Sequence, residues 1–532
     1  MADRMVYLKQ NVMLEPLFNQ WYAWSHLISP PNAAMYMANS HLKIMQSFLN
    51  SPQIHVSALK NPAMVGGPFI NYDPARAPEI RELMDRTLKD HAPMFQFAEA
   101  IKELDQKLSE EALGYSLEPY YQNVPEILRG YVELIYDLNN RPSIRFIEGL
   151  LYKSEFYNEA SQAIALSPVN GDDRSFVFST PRLKEPERLI LNIPFKQREL
   201  DSLFEMKSSA KPCGLIKEML GVENDDEAFF SSLFSDQAPP AADNFNGDDV
   251  RVRYFGHACV LIESAGVSIL SDPTISYKYE DGIERFTYAD LPDHIDYALI
   301  THNHQDHCQL ETLLQLRHKI KTLIVPKSAS LGLADPCLEL ALQNTGFKCV
   351  IDMDEMESIS IGSGSITSLP FLGEHADLNI RTKTAYLVNI KGRSILLAAD
   401  SNNIEPKLYE HIGNLIGKAD VVFLGMECDG APLSWIYGAL LTRPLHRQMD
   451  QSRRFNGSDY QKAIDIVERL KCDRVYVYAM GQEPWLNYFM GIAYTKESRP
   501  IIESDKLVDE CRRRGIEAER LFGKKEFFLK AK

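Results

Sequence analysis

A run of apolar residues ending in a burst of metal-capable side chains constrains this chain more than any other feature. Ile295-Asp296-Tyr297-Ala298-Leu299-Ile300 has the content of a strand driven into a core, and Thr301-His302-Asn303-His304-Gln305-Asp306-His307 follows at once. Three imidazoles and a carboxylate fall within the six positions from His302 to His307. Residues two apart in extended chain point the same way, so His302 and His304 can face one ion while Asp306 and His307 turn toward another. Packing alone has no use for so many ionisable groups, because each is costly to bury unless paired or bound. The stretch reads as the heart of a two-metal site.

Further donors must arrive from other strand ends. Ser365 to Leu369 leads into Pro370-Phe371-Leu372-Gly373-Glu374-His375, and Ser394 to Leu397 leads into Ala398-Ala399-Asp400. Spacing leaves Glu374 and His375 as alternatives, and places Asp400 where it can bridge two ions. Glu427, closing the run Val421 to Met426, is either a ligand, an acceptor behind the ligands, or a strand-end glutamate paired with a base. His375 and Asp377 can orient Glu374, Asp272 can hold a ligand from behind, and His257 falls at an early sheet turn beside the site. Cys308 reads as a small packing residue.

Around these motifs the chain alternates short apolar strands with turns. Strands are expected at Val250–Phe255, Cys259–Ser264, Val267–Ser271, Ala298–Ile300, Thr322–Val325, Cys349–Ile351, Ser358–Ile361, Ser365–Leu369, Thr384–Val388, Ser394–Leu397, Val421–Leu424 and Arg474–Ala479. Helical periodicity lies between several of them, at Leu310–Arg317, Pro336–Asn344 and Ser458–Leu470. This pattern predicts two facing sheets with helices outside.

At 532 residues the chain is too long for one ordinary core. Residues 1–236 read as a separate mixed α/β region without a catalytic signature, 237–249 as a turn-rich linker, and 250–532 as the catalytic domain. Helices are expected at Met35–Phe48, at Pro78–Glu111 with a break near Pro93, at Val124–Leu138 and at Arg145–Leu151; strands are expected at Arg174–Ser179 and Leu189–Ile193. Trp21, Tyr22 and Trp24 read as a packed aromatic anchor, and Asn61–Pro68 as a loop that lacks the Lys-Ser/Thr of a phosphate cradle. Dimerisation, covering the active site or recognising a partner would each suit the first region.

A net charge of −16 argues against nonspecific nucleic-acid or anionic-membrane binding. Eight scattered cysteines form no CxxC pair, and the opening Met1-Ala2-Asp3-Arg4-Met5 leads into no signal-peptide run, so a reducing cytoplasm is expected.

His302-x-His304-x-Asp306-His307 after an apolar strand resembles the metallo-β-lactamase superfamily motif, over about residues 250 to 530. The resemblance implies an α/β fold of the metallo-β-lactamase αββα sandwich type, here preceded by the mixed α/β N-terminal domain. Hydrolytic members place histidine where Glu374 stands and another near the chain end, whereas Val475–Ala479 here runs into Met480-Gly481-Gln482-Glu483-Pro484. With those departures, Trp21-Tyr22-Ala23-Trp24, the Asn61–Phe69 loop and Leu372–Asp377 resemble the diiron β-hydroxylases of nonribosomal peptide and antibiotic biosynthesis, the chloramphenicol pathway included.

That resemblance implies His302, His304 and Glu374 on one iron, Asp306 and His307 on the other, and Asp400 shared. It implies two iron ions, oxo- or hydroxo-bridged when oxidised, with O2 as cosubstrate. Replacing imidazole by carboxylate suits iron that changes valence, independently of the resemblance. The implied substrate is an aminoacyl group tethered by phosphopantetheine to a peptidyl carrier protein. No GxGxxG fingerprint is present, so electrons must come from an external donor or reductase. A basic mouth would suit an acidic carrier, with Arg443, His446, Arg447, Arg453 and Arg454 or Arg512-Arg513-Arg514 as candidates. Asp429–Gly457, with Trp435 and Tyr437, can fold over the site; Trp485, Tyr488, Phe489 and Tyr494 wall the pocket or pack the core. The rival reading is a dizinc hydrolase of an ester, lactone or phosphodiester, active without oxygen.

Overall fold

The computed structural model describes residues 4–279, 282–329 and 332–532. Met1, Ala2 and Asp3, part of the opening read for targeting, lie outside the described residues. No helix among those described is long and apolar enough to cross a membrane.

From Val250 onward two seven-stranded sheets face each other. In the first, Lys525–Leu529, Val250–Gly256, Cys259–Ser264 and Val267–Ser271 pair antiparallel, and Ile295–Leu299, Ile320–Pro326 and Val350–Met353 continue in parallel. The second repeats that plan. Ser358–Ile361, Gly364–Leu369, Ala385–Ile390 and Arg393–Leu397 are antiparallel, then Val421–Gly425, Arg474–Tyr478 and Glu517–Arg520 run parallel.

Period-two alternation builds the space between them. Val250, Val252 and Tyr254 point inward against Val388, Leu397, Val421, Phe423 and Tyr476, while the neighbouring Arg251 and Arg253 share Glu263 on the other face. Each buried aliphatic contributes about 1.5–3 kcal/mol. Leu396, Val422, Leu424 and Val475 face outward beneath helices Lys407–Ile416, Tyr460–Leu470 and Arg499–Arg513. The first sheet is covered differently. Its outward residues Leu261, Leu270, Ala298 and Leu323 share one core with Leu8, Leu14, Phe97 and Leu203 of the first region.

That region contains a four-stranded sheet, a three-stranded sheet and a hairpin among helices. The long helical pattern is two helices, Ala77–Asp90 and Ala92–Glu111, parted at His91 just before Pro93. Pro30–Tyr36 and Leu42–Asn50 are joined by a π-helical turn, Met37–His41.

Three sequence expectations are corrected. Val124–Leu138 is not a helix: Val132–Tyr136 pairs with Pro142–Phe146 across a turn in which the Asp137 carboxylate accepts the N–H groups of Asn139 and Arg141. That side-chain-built turn outweighs the helical spacing. Arg145–Leu151 accordingly starts as the end of a strand, with only Glu148–Leu151 helical. Arg174–Ser179 joins no sheet. Its alternation serves a crevice with two walls: Arg174 meets Glu311 and Glu15, the Val177 N–H donates to the Tyr488 carbonyl, and Ser179 donates to that of Phe69. Residues 237–247 carry no regular element.

Candidate metal centre

Six strand ends or turns deliver the site. His302 follows Ile295–Leu299, Asp272 follows Val267–Ser271, Glu374 follows Gly364–Leu369, Asp400 follows Arg393–Leu397 and Glu427 follows Val421–Gly425; His257 sits in the turn between Val250–Gly256 and Cys259–Ser264. The two sheets are tied there by a bridge between His302 and Lys383, and by the Tyr386 hydroxyl donating to the Ile300 carbonyl.

Their backbones are bent to do this. His257, Asp272 and Glu374 take φ of 50°, 35° and 64°, and Ala399, just before Asp400, takes 50°. Each such non-glycine conformation costs about 1–3 kcal/mol, and concentration at one end of a fold marks a functional site. Gly373 is required: its φ is 77°, and a Cβ there would stand 2.4 Å from that of Asn402.

Among the described residues three donor groups form, each with ligand atoms within 4.8 Å of one another: His302, His304 and Glu374; His302, His307 and Asp400; and His257, Asp306 and His307. His304 Nδ1 lies 2.9 Å from Glu374 Oε1. Asp400 Oδ2 stands between the other two sets, 3.6 Å from His302 Nε2 and 3.0 Å from His307 Nε2. Asp306 Oδ2 is 3.1 Å from His257 Nε2 and 3.6 Å from His307 Nε2.

The groups behind them are equally specific. Asp272 accepts the Thr301 N–H and hydroxyl, each at 2.7 Å, and lies 2.9 Å from His307 Nδ1. His375 stacks on His304 at 4.6 Å and places Nδ1 3.1 Å from Glu374 Oε2.

Burial lowers His302, and the neighbouring imidazole of His307 adds to this. Burial would also lower His307, but Asp400, Asp306 and Asp272 hold it well above the ordinary histidine range. Glu374 is pushed up to about 7 by burial, with His304 opposing. Glu427 is raised by burial and by the carboxylates of Asp400, Asp306 and Glu374.

These residues fit cations. His302 Nε2, His304 Nε2, His307 Nε2, Glu374 Oε2 and Asp400 Oδ1 are buried without a hydrogen-bond partner, where such atoms are otherwise nearly always satisfied. Imidazole with carboxylate is a donor set for redox-active or divalent first-row metals.

The remaining sequence candidates divide. Glu427 is half-buried and lines a cavity of about 330 Å³ with His304, Asp306, Glu374 and Asp400, outside the three donor groups. Asp377 does not orient Glu374: its φ of 59° follows a left-handed Ala376, and the turn leaves it exposed. Arg512, Arg513 and Arg514 are not at the mouth. Arg514 precedes Glu517–Arg520 at the opposite edge of the second sheet and pairs with Glu468 and Glu510. Arg443 pairs with Asp105 and Arg453 donates to the Ala376 carbonyl, whereas Arg454 lines the cavity. Phe489 and Tyr494 line it too, while Trp485 and Tyr488 are buried in a cluster with Tyr22 and Val177.

Two contributors had no sequence signal. Thr301 places its hydroxyl 3.1 Å from His302 Nδ1 and 3.2 Å from His307 Nδ1. Glu483 is fully buried and accepts from the Tyr254 hydroxyl, beyond the strand end where hydrolases carry a late histidine.

Fold and donor set together define a metallo-β-lactamase-type protein whose metal groups lie side by side and are rich in carboxylates. Residues 7–239 match the family described as the diiron non-heme beta-hydroxylase N-terminal domain, and residues 268–475 match the beta-lactamase superfamily domain. The chain is 41% identical over 527 residues to the 4-amino-L-phenylalanyl-CmlP-peptidyl-carrier-protein 3-hydroxylase of Streptomyces venezuelae, covering 97% of this chain and 98% of that one. The crystal structure of CmlA, a diiron beta-hydroxylase from Streptomyces venezuelae, matches with a TM-score of 0.93 at 39% identity, over 99% of this chain and 100% of that one. A point variant of that hydroxylase gives 0.91 at 39% identity over 98% and 100%. The chain belongs to the diiron β-hydroxylase family.

Proposed function

We propose that this chain is an oxygen-dependent diiron monooxygenase that hydroxylates the β-carbon of an aminoacyl thioester carried on a peptidyl carrier protein. The observation that carries the reading is Glu374, a carboxylate 2.9 Å from His304, at the strand end where zinc hydrolases of this fold use histidine. In this reading His302, His304 and Glu374 hold one iron, Asp306 and His307 hold the other, and Asp400 is shared. His257, 3.1 Å from Asp306, is either a further ligand of that second position or the group that orients it.

Two irons bound there supply oxygen activation and insertion of one oxygen atom into a carbon–hydrogen bond, the other atom leaving as water. The chain's own residues prepare that chemistry. Asp272 fixes the His307 ring from behind, and His375 stacks against the His304 ring. Phe455 packs 5.3 Å from His304, and with Phe489 it gives one wall of the cavity an apolar face. Arg454 at the cavity offers a cation to the phosphate of the carrier's arm. Two electrons per turnover come from an external donor.

The N-terminal region contributes Val65 to the same cavity, which supports an active-site cover as its role, with the linker placed at 237–249. Protein loaded with enriched iron should show two coupled ferric ions by Mössbauer spectroscopy. After reduction it should add one oxygen atom to an aminoacyl carrier, read by mass spectrometry. Stoichiometric zinc and no oxygen-reactive iron form, with ester or phosphodiester cleavage instead, would replace this reading with the hydrolase.

A further inference from the structure

A line of rings leads from the metal centre into the N-terminal region. Phe455 lies 5.3 Å from His304, and Tyr437 lies 5.9 Å from Phe455. His26 follows 5.9 Å beyond Tyr437, and Trp24 stacks on His26 at 4.4 Å and 17°. Trp24 is also a wall of a second chamber, of about 360 Å³, bordered by a Trp435 that is 37% exposed. The line therefore starts at a ligand and ends where solvent reaches. We propose that Tyr437, His26 and Trp24 form an escape route for oxidising equivalents: when oxygen has been taken up at the metals and no carrier is bound, these rings carry the equivalent away from the ligands to the chamber, where a small thiol quenches it. The proposal rests on the hydroxylase reading above.

Phenol and indole are among the side chains that give up one electron most readily, and a centre able to break a carbon–hydrogen bond can draw on them. Left where it arises, such an equivalent attacks its nearest neighbours, and here those are the ligands themselves.

Buried aromatic rings more often serve a core through their area. Two features set this line apart. His26, on the short helix Ser25–Ile28, is 1% exposed and has a buried Nδ1 without a partner, where such atoms are nearly always satisfied. Burial, and then the His304 imidazole, lowers its pKa to about 3, so the ring is neutral and offers one nitrogen as a proton acceptor. Tyr437 is buried as well, and burial followed by the Glu374 carboxylate holds its hydroxyl well above the ordinary tyrosine range. It keeps its proton until it is oxidised, and a neutral imidazole then stands beside it to take that proton.

One electron passes from the Tyr437 ring to the metals as its O–H proton moves to His26. Trp24 gives an electron to the phenoxyl, which takes its proton back from His26. A thiol in the chamber reduces the Trp24 radical cation and loses its own proton to water. Two passages return two electrons, and the two thiyl radicals join as a disulfide.

The test is exposure of the reduced, iron-loaded holoenzyme to oxygen without carrier and without thiol. Radicals are read by freeze-quench electron paramagnetic resonance, oxidised rings by peptide mass spectrometry, and iron content on the same samples. A tryptophan radical should appear, recognised by its narrowing on ring deuteration of tryptophan, and oxidation should gather on Trp24. Tyr152, comparably buried beside Tyr157, should stay unmodified. Adding 2-mercaptoethanol, or a loaded carrier, should suppress both signals. Trp24→Phe, which keeps a ring on His26, should lose the tryptophan signal and shift oxidation to Tyr437 and His304. Tyr437→Phe should abolish oxidation of Trp24, whereas Tyr152→Phe should change nothing. Ala439→Phe, on the chamber wall, should remove the thiol's protection, and protection that persists overturns the part assigned to the chamber. Oxidation spread evenly over buried rings, or oxidation of Trp24 that survives Tyr437→Phe, overturns the proposal. Oxygen taken up and loaded carriers hydroxylated with no ring radical in their absence overturns it too, and leaves the hydroxylase reading intact. Oxidation of Trp24 without hydroxylation of any loaded carrier does the reverse, and reduced protein that leaves oxygen untouched ends both.

Discussion

Asp400 is the carboxylate within 3.6 Å of both His302 and His307, so its loss should not be local to one position. Asp400→Ala should strip both irons under dialysis, measured by metal analysis with circular dichroism confirming the fold; two retained irons would end the bridging assignment. Asp272→Asn tests the layer behind. It leaves His307 in place but weakens the acceptor at its Nδ1, and metal affinity measured by chelator competition should fall about 10–100-fold. At this scale the sequence was legible wherever donors follow one another along a strand end, as from His302 to His307. Thr301 was not legible, because a hydroxyl before a histidine acquires meaning only when Asp272 folds against it. Asp377 was misread for the same reason: adjacency to Glu374 said nothing about a left-handed turn.

The helix that follows the motif is held by the N-terminal region. Leu310–Leu316 carries Glu311, which accepts from Arg174 and from the hydroxyls of Tyr22 and Tyr277. Arg174 also meets Glu15, which Arg182 grips through Nε at 2.6 Å and Nη2 at 2.9 Å. Burial alone would raise the Glu15 carboxyl, but Arg182 and then Arg174 bring it down to about 2. Its folded pKa thus lies below an unfolded value of about 4.3. Its contribution is therefore complete above that value and is lost as pH falls toward 2. Glu15→Gln should cost about 3–5 kcal/mol at neutral pH by leaving buried guanidinium unpaired. It should also flatten the loss of stability between pH 4.3 and 2, followed by urea unfolding at several pH values; an unchanged slope would remove Glu15 from the account. Twelve of the fourteen strands of the two large sheets were legible from their short apolar runs, whereas the edge strands Glu517–Arg520 and Lys525–Leu529, rich in charged residues, were not. Arg174–Ser179 shows the limit, for a crevice with two walls imposes the same period as a sheet.

For the whole molecule the decisive feature is how the outer face of the first sheet is covered. The second sheet has three helices of its own sequence neighbourhood, Lys407–Ile416, Tyr460–Leu470 and Arg499–Arg513. Among the described residues the first has Leu310–Leu316 and Leu338–Asn344, and one apolar cluster passes from Leu8, Leu14 and Phe97 through Leu203 into Leu261, Leu270, Leu313 and Leu323. The N-terminal region and the first sheet thus share one core. Surface of that kind, stripped of its cover, is far more apolar than soluble proteins expose. Calorimetry of the full chain should accordingly give one cooperative transition. A fragment of residues 250–532 should be insoluble or bind a hydrophobic dye strongly. Two resolved transitions, or a soluble fragment that keeps its metals, would show instead that the sandwich stands alone and that the N-terminal region is only a lid.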